Sequence, residues 1–183
     1  MSWFFERRRR QPVEIRPWSD IITDVARAAA GRSLVEVGAL VGDDTQALSV
    51  FGATVIALDI DSLAIRTGRK AGKIGTGVAA DMAHIGLDDE SVDHVFFANS
   101  ILFGNPSQAF GEARRILRIG GGLTVCTNSF PLSPLPQLQN SNMINAAKKE
   151  GFTIVTQQIV EIPEKKGIRG DHPFLLFTGK RRR

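Results

Sequence analysis

Between Ser33 and Asp61 the chain reads SLVEVGALVGDDTQALSVFGATVIALDID. An apolar, β-branched run (Leu34, Val35, Val37) meets Gly38 and Gly42 in a turn. A short helix from about Asp44 to Phe51 and a second strand, Thr54 to Leu58, then end in Asp59. Strand, glycine turn, helix, strand and terminal acid make a βαβ unit suited to a nucleoside-bearing ligand. The glycines let backbone approach a ligand without a Cβ in the way. Asp59 follows Gly38 by about 20 residues, the spacing at which such an acid can accept from both ribose hydroxyls.

The rest of the chain repeats this alternation. Ser19 or Asp20 caps a helix running to about Ala30, with Ile21, Ile22, Val25, Ala28 and Ala29 on one face. After the βαβ unit the pattern predicts helices at Leu63 to Ala71 and Gln108 to Leu117, and strands at Val78 to Ala80, His94 to Ala98 and Leu123 to Thr127. Gly120 to Gly122 read as a chain reversal, Asp88 to Glu90 as a solvated turn, and Asp43 or Asp44 as a helix cap. A helix at Asn142 to Glu150 precedes two strands with no helix between them, Thr153 to Ile162 and Phe174 to Lys180. The expected fold is therefore α/β: a Rossmann-like three-layer sandwich on a mostly parallel, seven-stranded sheet, ending in an antiparallel hairpin at the sheet edge.

At 183 residues and 43% hydrophobic content the chain fits one domain with a sizeable core. The division expected is a basic N-terminal arm over 1–17, a single domain over 18–179 and a basic tail over 180–183. Apolar runs are strand-sized and no signal-peptide pattern follows Arg7 to Arg10, so no membrane span is expected. The single Cys126 excludes an internal disulfide and points to a reducing, cytoplasmic setting. Arg7–Arg10 and Lys180–Arg183 hold eight positive charges, twice the net charge of +4, so the chain between them is net acidic. Those two clusters are the places for a weak nucleic-acid contact. His84, His94 and His172 show no ligand spacing with Cys126 or a carboxylate pair, so no metal site is expected.

Four blocks carry a family resemblance: VEVGALVG at Val35 to Gly42, ALDIDS at Ala57 to Ser62, AADMAHIGLDDESVDHVFFANS at Ala79 to Ser100, and EARRILRIGGGLTV at Glu112 to Val125. In order and spacing they resemble the class I S-adenosylmethionine-dependent methyltransferases, of the small type whose body is the cofactor-binding core. The resemblance implies S-adenosylmethionine as cofactor, with Glu36 orienting the loop toward the methionine ammonium and Gly38 and Gly42 shaping it. It implies Asp59 on the ribose, Ile60 and Met82 against the adenine, Asp81 on the adenine amino group and Asn99 near the reactive methyl. Asn99 and His172 are the candidates for a catalytic part. Leu40 stands where the family has its middle glycine, which leaves less room at the loop. ANSILFGNP replaces the Asn-Pro-Pro-aromatic motif of amino-group methylases.

The acceptor is open among a small molecule, a protein and RNA, with a homodimer as one way to complete its pocket. A second reading is a degenerate methyltransferase fold that serves as a scaffold and contacts RNA or a protein through the basic tails. A nicotinamide-dependent oxidoreductase shares the first βαβ unit but predicts a Tyr–Lys pair, and the chain has no tyrosine.

Overall fold

A computed structural model describes residues 13–129, 139–163 and 173–183. Eight strands form one sheet: β1 (Glu14–Ile15), β2 (Ser33–Val37), β3 (Thr54–Asp59), β4 (Thr76–Ala79), β5 (Val92–Ala98), β6 (Leu117–Asn128), β7 (Phe152–Glu161) and β8 (Phe174–Arg181). Among the described residues five α-helices accompany them: α1 (Trp18–Ala28), α2 (Asp43–Leu48), α3 (Ser62–Lys70), α4 (Pro106–Ile116) and α5 (Asn140–Lys149). The sheet order is β1-β7-β8-β6-β5-β2-β3-β4. Only β8 runs antiparallel to its neighbours, β6 on one side and β7 on the other.

The helices start where local chemistry offers a cap. Asp61 accepts from the Leu63 N–H at 2.8 Å to open α3. Asn105 accepts from the Ser107 and Gln108 N–H groups, and Pro106 fills the first position of α4. Asp43 and Asp44 are not caps. Gly42, in the left-handed region at φ 83°, opens α2, while Asp44 accepts from the Trp18 indole N–H at 2.9 Å and ties α2 to α1. Asp43 pairs with Lys73. The α1 start is earlier than its cap signal, since Pro17 precedes the first helical residue and Trp18 is buried.

Consecutive residues of the central strands feed opposite faces, as a strand's period of two requires. Leu34, Phe96, Cys126 and Leu176 pack with α1 and with Leu48 of α2. Val35, Phe97, Val125, Leu175 and Phe177 pack with α4 and α5. Phe110 of α4 meets Phe97, Phe152 and Phe177 in edge-on contacts 5.8 to 6.4 Å between ring centres. This makes the three-layer sandwich.

Two expectations are corrected. The sheet has eight strands, because Glu14–Ile15, inside the stretch read as an arm, pairs with Val160–Glu161 of β7. The terminal antiparallel hairpin of β7 and β8 is present as expected, with β8 the strand that lies next to β6 and the two-residue β1 outside β7. Gly120 to Gly122 are not a reversal; β6 runs through them, with a register irregularity between Val92 and His94. At Gly122 a Cβ would lie 2.4 Å from His94 Nδ1, so glycine here makes room for a buried ring.

The C-terminal basic cluster is largely built into the fold. Arg181, with a side chain only 10% exposed, donates to the Leu117 carbonyl and pairs with Glu90 at 2.9 Å. Arg182 donates its N–H to the Gly151 carbonyl and a guanidinium N–H to the Lys148 carbonyl. The acidic turn is likewise engaged, since Asp89 pairs with Arg115 at 2.6 Å.

Candidate functional site

The carboxyl ends of β2, β3 and β5 surround a cleft of about 350 Å³. Crevices at this end of an open α/β sheet are where such folds bind ligands. Of the residues singled out from sequence, Gly38, Asp59, Ile60, Asp81, Met82 and Asn99 line it, together with Leu40, Ser100, Phe103 and Gly104.

The loop after β2 is held to β3 by backbone. The N–H groups of Gly38 and Ala39 both donate to the Leu58 carbonyl. Gly38 has φ 87°, and a Cβ there would come within 2.4 Å of Ser100 Cβ, so only glycine lets the loop lie against the segment just past β5. Ser100 in turn donates its hydroxyl to the Val37 carbonyl at 2.6 Å. Leu40 keeps the left-handed backbone of a glycine, φ 49°, with its side chain 64% exposed at the mouth.

Asp59 is only 7% exposed. One carboxylate oxygen accepts from the Leu40 N–H and the other from the Asp61 N–H, each at 2.9 Å. The acid at the end of β3 thus fixes both the glycine loop and the start of α3. Asp81 is exposed and accepts from the Ala83 N–H at 2.8 Å. Met82 lies beside Gly104, where a Cβ would meet Sδ at 2.9 Å. Asn99, at φ 56°, accepts through Oδ1 from the Asn128 N–H at 3.2 Å, which joins the ends of β5 and β6.

Two sequence candidates lie off the cleft. Glu36 is buried at 1% exposure and accepts from the Thr45 hydroxyl at 2.5 Å, locking the end of β2 to α2. Gly42 packs toward Ile74, where a Cβ would fall 2.4 Å from Cγ1. His84 is exposed and does not line the cleft, and His172 and Arg7–Arg10 fall outside the described residues. Among the described residues no group of His, Cys, Asp and Glu is placed to hold a metal, and no helix is long and apolar enough to cross a membrane.

Sequence reading missed Phe103. It is 78% exposed at the cleft mouth, in the turn Ile101–Phe103 that follows β5. Its signal was an aromatic just before Gly104-Asn105-Pro106, where an aromatic with no core to enter stands out. With Leu40 and with Ile60 at 75% exposure, it gives the cleft an apolar rim. The Lys180–Arg181 end of β8 lies at the opposite pole, because β8 is reversed and Lys180 pairs with Gly122 in the first half of β6.

A family model described as a methyltransferase domain matches residues 35–125, from β2 into β6. A demethylmenaquinone methyltransferase of Clavibacter sepedonicus is 31% identical over 126 residues, 64% of this chain and 50% of that protein. One from Thermobifida fusca is 28% identical over 160 residues, 81% of this chain and 64% of that protein. The chain thus spans half to two thirds of these curated relatives. The crystal structure of an S-adenosylmethionine-dependent methyltransferase from Methanosarcina mazei shares the fold at a TM-score of 0.72 and 15% identity, over 93% of this chain and 99% of that one. With the four sequence blocks on β2, β3, β4–β5 and α4–β6 of this one sheet, the chain belongs to the class I S-adenosylmethionine-dependent methyltransferases.

Proposed function

We propose that the protein is an active methyltransferase whose acceptor is an apolar small molecule. The observation that carries this is the cleft itself: a glycine loop lying against the segment just past β5, a buried carboxylate at the end of β3 and an apolar rim at the mouth. The residues present fit the cofactor. Gly38 removes the Cβ that would block the loop, and Asp59 and Asp81 supply carboxylate oxygens for ribose hydroxyls and an adenine amino group. Ile60 and Met82 offer apolar surface for the adenine faces. Glu36 acts from behind, holding loop and helix in register through Thr45.

When bound, S-adenosylmethionine supplies an electrophilic methyl on a sulfonium. The chain's part is then to hold the acceptor in line and keep water out. Among the described cleft residues the ionisable side chains are Asp59 and Asp81, and Asp59 is already engaged by two backbone N–H groups. That arrangement suits a reaction catalysed by position more than by proton transfer. The apolar rim of Leu40, Ile60 and Phe103 favours an acceptor with a hydrophobic body, and a quinone-type acceptor agrees with the names of the Clavibacter and Thermobifida relatives.

A scaffold would use the C-terminal basic cluster at the pole away from the cleft, where Arg181 and Arg182 already donate to the Leu117 and Lys148 carbonyls. Calorimetric titration with S-adenosylhomocysteine tests the reading. Micromolar binding, weakened about 100-fold in Asp59→Ala by the loss of charged hydrogen bonds, is the expected result. No heat at millimolar ligand would overturn it. With methyl-labelled cofactor and cell extract, label is expected in the organic-solvent fraction; label in RNA would return the acceptor question to the basic clusters.

A further inference from the structure

β6 ends in Thr127 and Asn128, each 1% exposed, followed by Ser129 at 3%. Ser129 is engaged: its hydroxyl accepts from the Asn140 side-chain amide at 2.7 Å and its N–H donates to the Pro173 carbonyl. Asn128 differs. Among the described residues neither its side-chain oxygen nor its side-chain nitrogen has a hydrogen-bond partner. Its backbone N–H is used, and it is held by Asn99, a residue that lines the cleft.

A carboxamide buried with both ends unpaired is a recurrent cost to the fold, and a leucine at this position would avoid it. The Thr127 hydroxyl is unpaired too, but strand alternation puts Thr127 with Val125 on the α4–α5 face and Asn128 with Cys126 on the α1 face. Among the described residues only Asn128 therefore combines two free polar atoms with a backbone hydrogen bond to a cleft residue. Its neighbours along the strand ends, Asn99, Ser100, Thr127 and Ser129, are uncharged. They suit a neutral oxygen function, whereas a carboxylate or phosphate brought here would meet no cation among them.

We propose that Asn128, which is buried and does not itself line the cleft, orients the methyl acceptor by hydrogen-bonding a neutral hydroxyl or carbonyl oxygen on it at the strand end beside Asn99. This makes Asn128 a specificity-determining residue and rests on the methyltransferase reading above. The acceptor is then an uncharged apolar molecule carrying such an oxygen, which deepens the apolar-acceptor assignment.

The test uses the full chain saturated with S-adenosylhomocysteine and titrated with 1-naphthol, with naphthalene and 1-naphthoate as controls. The Asn128 side-chain NH₂ resonance is identified by its loss in Asn128→Leu. 1-Naphthol is expected to shift that resonance and to bind Asn128→Leu about tenfold more weakly, the scale of one neutral hydrogen bond to a buried partner. Naphthalene should bind both proteins alike, and 1-naphthoate should bind more weakly than 1-naphthol. Asn128→Leu should keep its S-adenosylhomocysteine affinity and unfold at a higher urea concentration, so a binding loss would not reflect a damaged fold. An Asn128 resonance unmoved by 1-naphthol, or equal 1-naphthol affinity in the two proteins, overturns the assignment. Failure of S-adenosylhomocysteine to bind at all overturns the methyltransferase reading first.

Discussion

Within the glycine loop, two neighbouring positions use the left-handed region for opposite reasons. Gly38 needs it because the segment just past β5 is too close for a Cβ, whereas Leu40 adopts it at a cost with its side chain in the open. Gly38→Ala should therefore destabilise the protein by about 2–4 kcal/mol through strain and overpacking. Leu40→Gly should stabilise it by about 0.5–1 kcal/mol, since little packing is lost and the αL penalty disappears. Urea midpoints of the two variants check both, and a common sign would show that the loop is not held as described. Asp59→Ala belongs to the same loop: it removes the acceptor of the Leu40 N–H, so it should loosen the loop as well as lose ligand.

Among the elements, β5 and β6 carry the group whose titration the fold feels most. His94 lies 7% exposed between Gly122 and the Thr124 hydroxyl, and burial lowers its pKa from the ordinary 6.5 to about 4. The unfolded chain therefore binds a proton between these values that the folded chain refuses. His94 leaves stability untouched above pH 6.5 and removes it as pH falls from 6.5 to 4, by up to about 3 kcal/mol. Asp93 follows in a lower window. Burial alone would raise its carboxyl, but the Arg118 guanidinium and the Ser33 N–H and hydroxyl outweigh this and hold it at about 2. Its contribution is lost only as pH falls from 3.8 toward 2. Urea unfolding from pH 7 to 4 should show the first loss in the native sequence and not in His94→Gln.

These strands also mark what was legible in the sequence. The helices at Leu63 to Ala71 and Gln108 to Leu117 were legible because their starts are local: Asp61 and Asn105 bond to N–H groups two or three residues on. β6 was cut short because Gly120 to Gly122 carry a turn signal locally, while the reason for Gly122 is the His94 ring on another strand. In the site, Asp59, Asp81 and Asn99 could be found because each ends or follows a strand. Glu36 could not be kept apart from them, since its Thr45 partner is visible only once α2 has folded back. Asn128 gave no signal at all, because an unpaired amide is a property of surroundings, not of spacing.

At the scale of the whole molecule, the last strand is the one that joins two parts of the sheet. β8 bridges β6 and β7 over most of their length, and its end is pinned by Arg181 to the Leu117 carbonyl and to Glu90. Arg181→Met should lower stability by about 1–3 kcal/mol by leaving those partners unmatched. Arg183→Ala, at a residue that is exposed and forms no ion pair among the described residues, should change little. Chemical denaturation of the two variants separates an anchored terminus from a free one.

The insertion of β8 has a consequence for synthesis on the ribosome. A nascent chain that has emerged only as far as β7 has two strands waiting on either side of an empty lane, each with an unpaired backbone edge. Neither edge can close on the other in the native way until residues 174–181 are out of the exit tunnel. The cleft at the head of β2, β3 and β5 is encoded long before that moment. The residues of the cleft are thus made early, and the strand that seals the sheet against other chains is made late.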